Sequence, residues 1–239
     1  MLKAVLFDFN GIIINDKLLH EQLIEQILIE ENLRPQPGEF RQVCLGKSDR
    51  ACLKELLTRR SRVLSESYLT QLVNHKTQAY QQQVKQLEKL PLYPGLKDLI
   101  FQLRAKELKL AVVSNSLLEE VKLVLDQAKL AEYFQALVAV DEVITSEPEL
   151  DGYFLAVERL NQLYPDLNLQ MSECLAIEHT PIGIEAAQRA GMQAVGVAHT
   201  YPFHMLQRLA DWTVDYLCDL EVERVQEAYS WFETGVAQG

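Results

Sequence analysis

The sequence predicts an α/β fold, a doubly wound parallel sheet with an inserted helical domain. Three observations predict it: short apolar runs recur along the chain, stretches of helical periodicity separate the later runs, and one long segment after the first run carries no strand signal. The apolar runs are residues 4–7, 110–113, 136–140, 175–177 and 194–197, with Trp212-Thr213-Val214 as a last short candidate. Continuous apolar runs of this length suit strands buried on both faces. Helical patterns at 96–106, 118–128, 152–164 and 183–190 supply the connections, which in a parallel sheet are right-handed crossovers.

The segment between the first and second strands reads as a small helical bundle. Its periodic stretches are 18–31, 49–60 and 65–86, with breaks at Pro35, Pro37 and Gly38. The predicted division is residues 1–15 and 93–239 for the α/β core and 16–92 for the helical domain. Two linkers, near 15–17 and 89–93, join the parts and permit a hinge. The last residues, from about Thr234, read as a frayed tail.

Composition bounds the function. The chain has 239 residues, 48% hydrophobic and 24% charged, which is enough apolar material for a sizeable core. A formal net charge of -11 argues against nucleic-acid and anionic-membrane partners, because both carry the same sign. The short basic turn Arg59-Arg60-Ser61-Arg62 reads as solvated. No apolar run is long enough to span a bilayer and no leader-like segment opens the chain, so a soluble, cytoplasmic protein is expected. The four cysteines, Cys44, Cys52, Cys174 and Cys218, show no metal-type spacing and read as reduced thiols, with Cys174 packing at the start of a strand.

Polar clusters follow the strand ends, where ligands bind in open α/β sheets. Asp8, Asn10 and Gly11 follow the first strand, Asn10-Gly11 being a turn signal in its own right. Ser114-Asn115-Ser116 follows the second and opens a helix, a ready anion cradle. Glu147-Pro148 follows the third, and Glu178-His179-Thr180-Pro181 the fourth. Any one of these taken alone reads first as a loop or helix cap; four converging on one crevice predict a site.

The ordered set resembles the haloacid dehalogenase superfamily, in its helical-cap branch of phosphatases and β-phosphoglucomutase-like enzymes, over nearly the whole chain. The resemblance rests on the segments at Asp8, Ser114-Asn115-Ser116 and Glu178-His179-Thr180-Pro181, with Asn15-Asp16-Lys17-Leu18-Leu19-His20 resembling the cap entry and Pro94-Gly95 preceding the resumed core. It implies phosphoryl transfer with Mg²⁺ on a small phosphorylated metabolite. Asp8 would be the nucleophile, Ser114 the phosphoryl-oxygen ligand, and Asn115 part of the substrate cradle. Asp8, the Asn10 backbone carbonyl and the fourth-motif residues Glu178 and His179 would lie at the metal. Gly46-Lys47-Ser48-Asp49-Arg50 resembles the substrate-reading cap loop, which makes Lys47 and Arg50 candidate substrate ligands, against a solvated loop and helix start.

The residues depart from the family pattern at three motifs. Asn10 stands where the acid/base Asp belongs, and its amide cannot shuttle a proton, a role worth roughly 10²–10⁴ in rate. Glu147 replaces a Lys, turning attraction for a phosphate into repulsion of about 4 kcal/mol at roughly 4 Å and an effective dielectric near 20. His179 replaces a metal-binding Asp, whereas Mg²⁺ prefers oxygen. Ile12, where many members carry Thr, is a lesser change. Two readings stay open. One is a family protein with weak or lost Mg²⁺-dependent phosphatase activity that binds an anion or a protein partner. The other is a phosphohydrolase with a rearranged site, using Mn²⁺ or Zn²⁺ at Asp8, Glu178 and His179 and Asp16 as a proton source through water. Dehalogenase-like chemistry would also need Asp8 and lacks its Lys.

Overall fold

A computed structural model describes residues 1–143 and 148–235. Six parallel strands form one sheet: β1 (Ala4–Asp8), β2 (Lys109–Ser114), β3 (Ala136–Ala139), β4 (Cys174–Glu178), β5 (Gln193–Val197) and β6 (Trp212–Val214). Their spatial order is β3-β2-β1-β4-β5-β6. Successive residues of β1 feed opposite faces: Val5 and Phe7 pack in one apolar cluster, Ala4 and Leu6 in another. Both faces are therefore covered, which is why the strands read as unbroken apolar runs.

The order has a functional consequence. From β1 the chain builds outward through β2 and β3, then returns to β4 on the other side of β1. The connections diverge above the β1–β4 boundary, leaving a crevice at the C-terminal ends of those strands. Asp8 ends β1 and Glu178 ends β4, so both stand at its lip.

Four helices lie between β1 and β2 before the core resumes: α1 (Lys17–Glu30), α2 (Glu39–Val43), α3 (Asp49–Arg59) and α4 (Glu66–Gln86). Ser48 caps α3, its hydroxyl accepting from the Ala51 N–H at 3.3 Å, and Ser65 caps α4 in the same way. These helices carry an apolar cluster of their own, including Ile24, Leu28, Leu53, Leu57 and Leu72, while Leu23, Tyr80 and Val84 join the cluster beneath the sheet. Both linkers run together: Asn15 N–H donates to Pro91 O at 2.8 Å and Tyr93 N–H to Ile13 O at 3.2 Å, around a bridge between Ile14 and Leu92.

The remaining helices are α5 (Leu96–Ala105), α6 (Leu118–Ala128), α7 (Pro148–Leu163), α8 (Pro181–Arg189), α9 (Phe203–Leu206) and α10 (Val222–Gly235). Three differences from the sequence reading have physical reasons. Helix α2 fits between Gly38 and Gly46, both at positive φ, in a stretch too short to show a period. Helix α10 runs through Thr234 because Val222, Val225 and Tyr229 form a buried stripe at helical spacing, so the expected fraying does not begin there; residues 236–239 lie outside the described residues. Arg60 is not solvated, since its guanidinium grips both oxygens of Glu39 at 2.7 and 2.6 Å.

The reading of all four cysteines as reduced thiols is corrected. Cys44, at the end of α2, is disulfide-bonded to Cys52, in the first turns of α3, with their Cα atoms 4.7 Å apart. Cys174 and Cys218 are free. The pair is eight residues apart without a motif, and only the turn between α2 and α3 brings the two side chains together. Among the described residues, no helix is long and apolar enough to cross a membrane.

Candidate active site

The strand ends and the inserted helices enclose a cavity of about 110 Å³, lined by Asp8, Asn10, Lys47, Ser114, His179 and Thr180 among others. Drug-sized ligands occupy pockets of roughly 300–1,000 Å³, so this space suits a phosphate-sized group, and a larger metabolite needs the helices to move.

Asp8 accepts on both oxygens. The Phe9 N–H donates to Oδ1 at 2.6 Å, and His179 Nε2 lies 3.1 Å from Oδ2. The other ring nitrogen, Nδ1, is 2.8 Å from the Thr200 hydroxyl. With Nε2–H donating to the carboxylate, Nδ1 accepts from Thr200, and both nitrogens of His179 are committed. The ring lies against the backbone of Gly11, where φ is +81° and a Cβ would come within 2.4 Å of the imidazole. Glycine is therefore needed at 11 twice, for the turn and for the ring above it.

Glu178 is sealed beside it. The Tyr153 hydroxyl donates to Oε1 at 2.5 Å and the His179 N–H to Oε2 at 3.3 Å, while the carboxyl group sits where a Cβ on Gly183 would be. Burial, then the charge of Asp8, pushes the Glu178 carboxyl well above its ordinary range. The same environment raises the Tyr153 hydroxyl, burial foremost, so it stays a donor. Thr180 caps α8 by accepting from the Gly183 N–H at 3.0 Å, with Pro181 opening the helix.

Ser114 is buried, and its hydroxyl accepts from the Ser116 N–H at 3.0 Å. Asn115 reaches across to the inserted helices, donating to Gly46 O at 3.2 Å. Lys47 lines the cavity with its ammonium paired to Glu55. Arg50 does not turn to the cavity; its guanidinium is taken by Glu66 at 2.8 Å and by Thr70 on α4. Glu147 lies outside the described residues.

Asn10 belongs to a second network. Its Oδ1 accepts from the Ser116 hydroxyl at 2.7 Å, and its Nδ2 donates to both oxygens of Asp16 at 3.1 Å. Asp16 also accepts from Tyr80 at 2.5 Å and from His20 Nε2 at 3.2 Å. Beyond them, Lys76 of α4 bonds Asp49 at 2.6 Å and Glu120 of α6 at 3.1 Å. Burial and the Lys76 charge press the His20 pKa down, but Asp16 and Asp49 outweigh them and hold it up at about 9. Burial works to raise Asp16, yet His20, Tyr80 and Asn10 lower it, so it is ionised. An aspartate at 10 would set a second carboxylate against Asp16; Asn10 is the side chain that Asp16 accommodates.

The sequence assigns no role to His20, Lys76, Tyr80, Glu120, Tyr153 or Thr200, and Ser116, expected in an anion cradle, donates its hydroxyl to Asn10 instead. One signal was available: in α4 the buried positions are Leu69, Leu72, Val73, Lys76, Thr77, Tyr80 and Val84, so a lysine occupies the middle of an apolar stripe.

The donor set does not fit the divalent cation that the resemblance implies. Such an ion needs free carboxylate or carbonyl oxygens converging on one point. Here Asp8 and Glu178 are occupied by protein donors and His179 presents an N–H to Asp8. No group of three His, Cys, Asp or Glu is placed to hold a metal among the described residues. His179 and Glu178, adjacent to Asp8 as the sequence suggests, form a hydrogen-bonded set with it rather than an open ligand set.

A family model described as haloacid dehalogenase-like hydrolase matches residues 5–197. The chain is 27% identical to a β-phosphoglucomutase of Bacillus subtilis over 237 residues, covering 97% of each chain. It is 25% identical to a phosphorylated carbohydrates phosphatase of Thermotoga maritima over 201 residues, 83% of this chain and 87% of that one. Among solved structures, a β-phosphoglucomutase from Clostridium difficile superposes with a TM-score of 0.83 at 20% identity, covering 98% of this chain and all 100% of the other. CbbY from Rhodobacter sphaeroides, in complex with phosphate, gives 0.79 at 21% identity over 92% and 97%.

Proposed function

Because this chain belongs to the haloacid dehalogenase-like hydrolase family, among relatives of phosphatases and phosphomutases of phosphorylated sugars, we propose that it binds a small phosphorylated metabolite or anion with Mg²⁺-dependent hydrolysis weak or lost. The observation that carries this reading is the His179 imidazole 3.1 Å from Asp8 Oδ2, packed on Gly11. It supplies an N–H donor to the would-be nucleophile at the place where a cation would be needed, and a hydrogen-bonded carboxylate attacks phosphorus less readily than a free one.

Around Asp8 the remaining groups suit an anion. Ser114 offers a hydroxyl at the cavity wall, with Asn115 and Ser116 beside it ahead of α6. In this reading residues 16–92 form the substrate-facing unit and Lys47 lends positive charge at the cavity edge. The phosphate held by the related CbbY supports an anion of that kind. The partner is a small molecule rather than nucleic acid or membrane, given the net charge of -11.

A second reading, an active hydrolase with rearranged proton transfer, is favoured by one observation. His20, with its pKa held at about 9, lines the cavity beside Asn10 and can donate a proton where Asn10 cannot. Hydrolysis of a panel of phosphorylated metabolites with Mg²⁺, Mn²⁺ or Zn²⁺, against Asp8→Asn, decides between them. Rates equal to those of the variant across the panel support the binding reading. Turnover that disappears in Asp8→Asn overturns it in favour of the rewired hydrolase.

A further inference from the structure

We propose that Cys44 and Cys52 are a redox-active pair that fastens the loop closing the cleft, and that its reduction by a small dithiol loosens the anion site. The anion part of this inference rests on the function proposed above.

The bond closes a ring whose ends are eight residues apart, and the ring carries contacts to both sides of the cleft. Gly46 O accepts from Asn115 of the β2–α6 turn at 3.2 Å, and the Thr180 side chain packs beside Gly46. Lys47 lines the cavity. Asp49 holds Lys76 at 2.6 Å. Without the bond, α2 and α3 are joined by a turn through Gly46, at φ +76°, and the loop's position rests on those contacts, the Lys47–Glu55 pair and the packing of Val43 and Leu53. A covalent tie removes ordering that ligand binding would otherwise have to impose.

Access follows from location. Cys44 and Cys52 are 4% and 2% exposed, yet both line the cleft cavity. A reductant therefore arrives through the cleft, which has to open to admit a molecule larger than phosphate, and an anion seated there stands in its way. In the reaction, a reductant thiolate attacks one Sγ, giving a mixed disulfide and releasing the other Sγ as thiolate. The reductant's second thiolate then displaces the protein sulfur, so the dithiol leaves as a disulfide and two electrons remain on Cys44 and Cys52.

The test uses the full chain, with dithiothreitol as reductant and inorganic phosphate as ligand. Alkylation after denaturation is expected to label two thiols in the oxidised protein, Cys174 and Cys218, and four after reduction. Reduction is expected to lower the melting temperature by roughly 5 °C and to weaken phosphate binding, read by calorimetry, by about threefold or more. Phosphate is expected to slow the reduction. The double variant Cys44→Ser with Cys52→Ser should match the reduced protein and ignore dithiothreitol, while Cys218→Ser behaves as the parent.

Four labelled thiols in oxidant-treated protein, or equal phosphate affinity in both states, would overturn the proposal. If phosphate binds in neither state, the anion reading fails and the fastening is judged by melting temperature and by hydrogen exchange of residues 44–52. A difference between redox states there supports it, and identical behaviour overturns it.

Discussion

Two clusters of polar side chains line the two sides of the cavity, and they are built differently. On the strand-end side, Asp8, Glu178 and His179 crowd two carboxyl groups around one imidazole, at the open end of the sheet. On the other side, Asp16, His20, Asp49, Lys76 and Glu120 alternate in sign and join α1, α3 and α4 to α6. The first cluster has few cations of its own and faces a cavity. In the second, Lys76 and His20 stand between the carboxylates; its Lys76–Glu120 end is sealed, both side chains at 0% exposure, while Asp16, His20 and Asp49 reach the same cavity. The lesson is that burial alone does not identify a ligand site: carboxylates that share buried cations tie helices of different layers together, whereas the strand-end set is held by neutral donors and stands over the crevice.

The sharpest way to break this contrast is Lys76→Met. It strands Asp49 and Glu120 without their shared cation, and leaving a buried charge uncompensated costs about 3–5 kcal/mol. Urea unfolding should show a loss of that size, and Glu120→Leu added to Lys76→Met should recover part of it. An unchanged midpoint would mean that Lys76 is solvated in solution and the cluster is not sealed.

A smaller effect comes from pH. The His20 pKa stands at about 9 against an ordinary 6.5, a difference worth about 3 kcal/mol. Because the folded value is the higher, the contribution is full below pH 6.5 and disappears as pH rises through 9. Stability measured by urea from pH 6 to 10 should therefore fall, and His20→Gln should flatten the fall. A parent profile already flat across that range would remove His20 from the cluster's charge balance.

The smallest concerns the strand-end side. Thr180→Ala removes the cap of α8 and should cost about 1 kcal/mol in unfolding. Its effect should add to that of Lys76→Met, since the Asn10 side chain bonds Asp16, His20 and Ser116 but not Asp8, Glu178 or His179. Strong coupling would show that they act as one network.

The sheet was legible because strands covered on both faces must be apolar throughout, and the polar residues that end them, Asp8, Ser114 and Glu178, mark where the covering stops. The second cluster was hidden by distance along the chain. Lys76 and Glu120 lie on helices from different layers, and a residue pair 44 apart carries no local pattern. Arg50 looked suited to the cleft because of its position in the loop, yet its bonds to Glu66 and Thr70 turn it away, a matter of helix phase rather than residue type. The disulfide was illegible for the same reason as the buried lysine: each residue is ordinary alone, and only the packed turn makes the pair.

The joined linkers restrict how the molecule deforms. Asn15 bonds Pro91 and Tyr93 bonds Ile13, so the outgoing and returning segments form one narrow antiparallel ribbon. A ribbon of this kind bends across its flat face but resists shear, because sliding one segment past the other would break its hydrogen bonds together. The movement the ribbon leaves to the inserted helices is a swing, opposed by the buried Lys76–Glu120 pair, and Asp16, one residue beyond the ribbon, would turn with them. Opening the cavity and withdrawing the carboxylate from Asn10 are then a single movement.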